Sequence, residues 1–237
     1  MPNTVVISLI ACLAYGIESI FGFGGTIIFL GLSGLLYDFN TLIKMAMIVG
    51  LASGLAVLIQ SYKHLSFVHL FRILLLTLPG ALIGTYLIEY LASNLLIKTF
   101  AFMLIAYGFF NLIWPQITIP KIIKNSLIIL GGLIQGIFTI GGPFVLMGYK
   151  DNFQDKQELR STMAGYFFVI NSLRAIFFMV IGGSYTEIII SYYPLAILVM
   201  ISVWLGYLVH RKIPDILFKK LIILAITIIG IIILFTK

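Results

Sequence analysis

Charge is scarce in this chain. Only 10% of its 237 residues are Asp, Glu, Lys or Arg, against roughly a quarter in an ordinary soluble domain, while 61% are hydrophobic. A water-soluble fold has nowhere to hide that much apolar surface, so the composition calls for lipid as solvent. In lipid every backbone polar group must be satisfied internally, which leaves helices or closed barrels. The apolar runs are long and continuous, unlike the short alternating strands of a barrel. The expected fold is all-α, a polytopic integral membrane protein in contact with a lipid bilayer.

Cysteine and histidine are nearly missing as well. Cys12 stands alone inside an apolar run, which excludes a disulfide framework and a cysteine metal cluster. His64, His69 and His210 flank apolar runs with no Cys, Asp or Glu at ligand spacing, so no metal site is expected. No nucleophile and base stand together at depth, so the chain reads as a non-enzyme with no catalytic residues and no cofactor. The net charge of +7 would point to nucleic acid in a soluble protein. Here most Lys and Arg lie between apolar runs, where setting orientation in the bilayer is their ordinary role, and no nucleic-acid partner is implied. Nothing basic precedes the first apolar stretch after Met1-Pro2-Asn3-Thr4, and no small-residue cleavage pattern follows it, so it reads as a retained span.

Apolar segments run near 4–21, 26–37, 41–61, 66–91, 94–114, 122–140, 143–149, 158–181, 187–209 and 216–235. A crossing helix needs about 20 residues, and 26–37 and 143–149 are too short. Each follows a long segment across a glycine-rich break, Gly22-Phe23-Gly24-Gly25 and Gly141-Gly142-Pro143. The stretch Glu18–Gly25 aligns without a gap on Gln135–Gly142 at an offset of 117, and Tyr86-Leu87 aligns on Tyr207-Leu208 at 121. The chain therefore reads as two homologous halves, 1–120 and 121–237, forming one membrane domain. Duplicated halves with interrupted helices are a recurring plan of secondary transporters, whose substrate sites lie between the repeats.

Two topologies compete. If each break only bends a helix, about eight transmembrane helices form parallel repeats, and nine basic residues face five across the membrane. If each break is a hairpin, up to ten segments form inverted repeats. Lys63, Arg72, Lys121, Lys124, Lys150, Lys156, Arg160, Arg211, Lys212, Lys219 and Lys220 then share one side, leaving Lys44, Lys98 and Lys237 on the other. Eleven against three is the cleaner positive-inside pattern, and it favours the hairpins. Both arrangements put the two termini outside.

The breaks are the main candidates for binding. Unwound backbone at membrane depth must face protein, water or ligand, and a helix starting at Thr26 or Phe144 offers the positive end of its dipole to an anion. The candidate solute-binding residues are Gly22, Gly24, Gly25, Thr26, Gly141, Gly142 and Pro143. The competing reading makes these glycines packing devices, as Gly50…Gly54 and Gly80…Gly84 are expected to be. Glu18 and Gln135 hold equivalent positions, a carboxylate in one half and an amide in the other, and are candidates for proton coupling. Against that stands a Glu18 that is ion-paired or near the membrane surface. Arg174 lies inside the run 158–181, three residues after Asn171 and so on the same helical face. A charge there is a functional candidate by default, with a structural ion pair or snorkelling as the alternative, and both residues join the binding set.

The segments Gly22-Phe23-Gly24-Gly25-Thr26 and Ile140-Gly141-Gly142-Pro143 resemble the paired glycine signatures of the sulfite exporter TauE/SafE family of bacterial membrane permeases. Pro79–Gly84 resembles that family's small-residue helix, and Arg211–Lys220 its basic connection. The resemblance spans essentially the whole chain, with Thr26 and Thr139 standing where the family pattern has glycine. It implies a permease or exporter moving a small anion, such as sulfite, an organosulfonate or a related sulfur or carbon acid, across the bacterial inner membrane. A homo-oligomer is compatible with this reading. The other class compatible with the sequence is a non-transporting membrane assembly or tethering subunit.

Overall fold

The computed structural model describes residues 4–21, 24–113, 120–181, 185–209 and 215–236. Among them are ten α-helices and no strand: α1 Thr4–Phe21, α2 Gly25–Gly34, α3 Phe39–Ser61, α4 Phe67–Leu87, α5 Ser93–Ile113, α6 Lys121–Phe138, α7 Gly142–Tyr149, α8 Lys156–Ile181, α9 Tyr185–Val209 and α10 Asp215–Thr236.

Both glycine breaks are hairpins. A side chain added at Gly25 would lie 2.9 Å from the carbonyl oxygen of Ala14, eleven residues earlier. A continuous helix would separate those residues by about 16 Å, so α2 has turned back along α1. Gly24 makes the reversal with a φ of +102°, backbone that favours glycine. In the second break, Gly131 of α6 faces Val145 and Phe144 of α7, and Gly148 faces Lys124 and Ile128. The hairpin here turns at Thr139, which caps α6 at a φ of 62°.

Consequently the helix ends collect on two faces. On one, Lys124 bridges Asp151 at 2.6 Å, Ser161 donates to the Ser61 carbonyl at 2.8 Å, and His69 meets Tyr149 at 2.9 Å. On the other, Asp38 accepts from Ser93 at 2.8 Å and Lys44 pairs with Glu89 at 2.7 Å. This is the grouping of loops that the hairpin topology requires. Some extents differ from the hydropathy reading. The run 66–91 is helical only to Leu87, because Ile88–Leu91 turns to let Asn40 donate to the Ile88 carbonyl at 3.1 Å. The run 26–37 stops at Gly34, since Asp38 is needed as the cap of α3, accepting the Thr41 N–H at 2.9 Å.

At the centre α3 crosses α8, with α9 and α4 packed beside them, while α1 lies on α9, α4 on α6, and α10 on α5. Small residues permit the close crossings. Side chains at Gly80 and Gly84 would press on the backbone of Leu133, and one at Gly54 on the backbone of Phe168. The outer surface is apolar: Val180 is 79% exposed and Phe235 84%. That is a surface made for acyl chains, since water would charge about 25 cal/mol for each Å² of it. Five described helices are long and apolar enough to cross a membrane, in α3, α4, α5, α8 and α9, with shorter apolar helices beside them.

Candidate functional site

The tips of the two hairpins meet in the middle of the molecule around a cavity of about 20 Å³, lined by Glu18, Gly24, Thr26 and Ile27 from the first hairpin, by Thr139, Ile140, Gly142 and Pro143 from the second, and by Gly50, Phe167 and Asn171 from the crossing helices. That is room for about one water molecule.

Each hairpin tip is tied by a side chain from its own long helix. Glu18 accepts the Gly25 N–H through Oε2 at 2.8 Å and the Ser53 hydroxyl through Oε1 at 2.7 Å. Gln135, wholly buried, accepts the Gly141 N–H through Oε1 at 2.8 Å and donates from Nε2 to Asn171 Oδ1 at 3.1 Å. The two arrangements match part for part, a cap on the start of the short helix and a polar partner on the crossing helix. They differ in charge. A carboxylate stands over the positive end of α2, whereas a neutral amide stands over that of α7.

Arg174 is wholly buried. Its Nε donates to Thr85 Oγ1 at 2.8 Å, Nη1 to Thr139 Oγ1 and to Asn171 Oδ1 at 3.1 Å each, and Nη2 to the Gly136 carbonyl at 2.6 Å. It joins α4, α6 and α8 from behind the cavity wall. Its bond to Thr139 also bears on the backbone there, because a non-glycine residue at positive φ costs about 1–2 kcal/mol. Asn171 Oδ1 accepts from both Gln135 and Arg174, which fixes the amide so that Nδ2 is its cavity-side donor, 3.1 Å from where a Gly50 side chain would begin. On the opposite wall the Tyr15 hydroxyl pairs with Thr26 Oγ1 at 3.0 Å.

The structure therefore brings Glu18, Gly24, Thr26, Gly142, Pro143 and Asn171 to one cavity. It places Gly25, Gly141, Gln135 and Arg174 immediately behind that wall, and Gly22 lies outside the described residues. Glu18 sits at the tip of the first hairpin, bonded to Gly25 and Ser53. Three residues escaped the sequence reading. Ser53 stands 118 positions before Asn171, which the sequence had singled out, on the other crossing helix, but the change of residue type obscured the correspondence. Tyr15 was hidden as one aromatic among many. Thr139 was visible only as a departure from glycine. No group of three or more His, Cys, Asp or Glu among the described residues is arranged to hold a metal ion.

Interrupted helices whose starts converge between crossing helices define a class, the helical membrane transporters with broken helices. The family described as Sulfite exporter TauE/SafE matches residues 7–233, and the chain belongs to it. It is a family of membrane transporters, not of enzymes, and the chain is a multi-pass membrane protein. Neither a curated protein nor a solved structure matches the chain.

Proposed function

We propose that the chain is a permease or exporter that moves a small anion, such as sulfite, an organosulfonate or a related sulfur or carbon acid, across the bacterial inner membrane, and that the solute passes between the two hairpin tips. The observation that carries this reading is the unequal capping of α2 and α7. With Glu18 over α2 and only Gln135 over α7, an anion is favoured on the α7 side, against Asn171 Nδ2, Gly142 and Thr139. Arg174 adds its charge from behind Asn171 rather than as a direct ligand. Glu18, across the same cavity, repels the anion when ionised and admits it when protonated, which ties the movement of one proton to the movement of one anion.

The reading also takes the chain as two inverted halves. Its support is reciprocity: exchanging α1–α5 with α6–α10 turns the α4–α6 packing into the α9–α1 packing. Gly84 against Leu133 and Gly136 has its counterpart in Gly206 against Gly16 and Ser19. The side bearing the loops at 62–66 and 150–155 is the cytoplasm, by its basic residues.

The direct test is flux of a panel of small anions into sealed vesicles, with Asn171→Asp as the diagnostic variant. Aspartate keeps both accepted bonds, from Gln135 and Arg174, but replaces the cavity donor with an acceptor and a negative charge. Folded protein should reach the membrane and anion flux should fall at least tenfold. Normal flux through Asn171→Asp, or no anion flux in the unaltered protein, would sink the reading.

A further inference from the structure

A second polar cavity, of about 380 Å³, opens on the face that carries the 62–66 loop and is lined by Gln60, Ser61, His64, Lys156, Gln157, Arg160 and Tyr207. Gln60 lies in the last turn of α3 and His64 in the 3-10 turn that follows it, while Lys156 and Arg160 stand four apart at the start of α8 and share a helical face. Arg160 Nη2 donates to Gln60 Oε1 at 3.2 Å and to the Ser19 carbonyl at 3.3 Å, and its guanidinium lies 5.0 Å from the Tyr207 ring centre. Two donors are left over. Arg160 Nε and Gln60 Nε2 are buried and have no hydrogen-bond partner, whereas nearly all buried polar groups are paired. The carboxylates of the same segment bind backbone at the start of α8. Asp155 accepts the N–H groups of Gln157 and Glu158 at 2.8 Å, and Glu158 accepts the Gln154 N–H and lies 3.7 Å from His69.

We propose that this cavity is an oxyanion-binding site distinct from the one at the hairpin tips, with Arg160 Nε, Gln60 Nε2 and the Lys156 ammonium as its recognition groups. The common chemistry is a tetrahedral or pyramidal oxyanion, free in solution or carried as a lipid phosphate. Arg160 also reaches the Ser19 carbonyl near the end of α1, so the occupant sits on the approach to the first hairpin. Bound ligand stabilises the folded protein in proportion to occupancy, and that is the readout.

The purified full-length chain is melted in neutral detergent with sodium sulfate or with chloride at equal ionic strength, and separately in nanodiscs of phosphatidylcholine with or without phosphatidylglycerol. At about ten times its dissociation constant the occupant should raise Tm by roughly 3 °C or more. Lys156→Gln and Arg160→Gln should abolish the rise. Lys63→Gln removes the same charge outside the cavity and should keep it. A rise with sulfate identifies a soluble oxyanion, and a rise with phosphatidylglycerol alone identifies the lipid phosphate. Should Arg160→Gln fail to fold, Lys156→Gln, whose side chain lies on the exposed rim, decides the matter. The site is refuted if neither additive raises Tm, or if the rise persists in Lys156→Gln. These outcomes do not depend on flux through the hairpin cavity, so the two proposals fail separately.

Discussion

At the scale of single residues, the cavity shows how one substitution between matched positions changes chemistry without changing geometry. Glu18 and Gln135 both cap a hairpin, so Glu18→Gln should leave the first hairpin closed as Gln135 leaves the second. The expected result is normal abundance with anion flux that no longer varies with pH. A wild-type pH profile in Glu18→Gln would remove the carboxylate from coupling. Arg174 behaves differently. Its removal strands the oxygens of Thr85, Thr139 and Gly136 in a buried site, and a buried polar group left unsatisfied costs about 1–3 kcal/mol. Arg174→Gln should therefore lower the amount of folded protein in the membrane, read by size-exclusion profile. Full recovery of monodisperse protein would show that the network is not structural. An anion-affinity measurement alone would confuse these two roles.

Helices and their ends form the next scale. Gly25 and Gly141 face the backbone or Cβ atoms of their own hairpins, so a larger residue there would force the hairpin open. Gly142 faces only the far end of the Phe167 ring, 2.7 Å from an added Cβ. Gly142→Ala is thus the substitution that tests the cavity with least damage to the fold, and it should reduce flux while Gly84→Ala, against the Leu133 backbone, reduces abundance. Equal abundance for both would contradict the α4–α6 packing. The start of α3 offers a stability test outside the apolar spans. Burial alone would raise the Asp38 pKa, but hydrogen bonds from the Thr41 N–H, Ser93 and the Thr41 hydroxyl, with Lys44 nearby, hold it below 3.8. A depressed carboxylate contributes stability that is complete above its ordinary pKa and is lost as pH falls through the depressed value. Asp38→Ala should accordingly cost about 1 kcal/mol at neutral pH, read as a lower Tm, and the difference from wild type should shrink below pH 3.8. A difference that did not change with pH would mean that the carboxylate is not the cap.

On the scale of the whole molecule, helix positions and the glycine breaks were legible because the lipid requirement writes itself into long apolar runs. Arg174 and Asn171 stood out because charge and amide are costly there. What the sequence could not show was partnership. Asn171 accepts from Gln135 of another helix, and Arg174 donates to Thr85 across 89 positions, contacts that no local pattern encodes. Nor could hydropathy tell a bend from a hairpin, since both begin with the same glycines, and only the basic-residue count leaned toward reversal. The hairpins make a prediction about sidedness that the bent arrangement contradicts. The start of α6 and the turn that leads into α8 share a face, joined by Lys124 and Asp151, whereas an eight-span chain puts them on opposite sides. In a Cys12→Ser background, Asn125→Cys and Gln157→Cys should react with a membrane-impermeant thiol reagent from the same side, the cytoplasmic one, and Tyr90→Cys from the other. All three substitutions are neutral and at exposed positions, so none disturbs the charge bias that sets orientation. Labelling of Asn125→Cys and Gln157→Cys from opposite sides would restore the bent helices. It would also separate the two capped helix starts, and the cavity between them would lose its basis as a path for an anion.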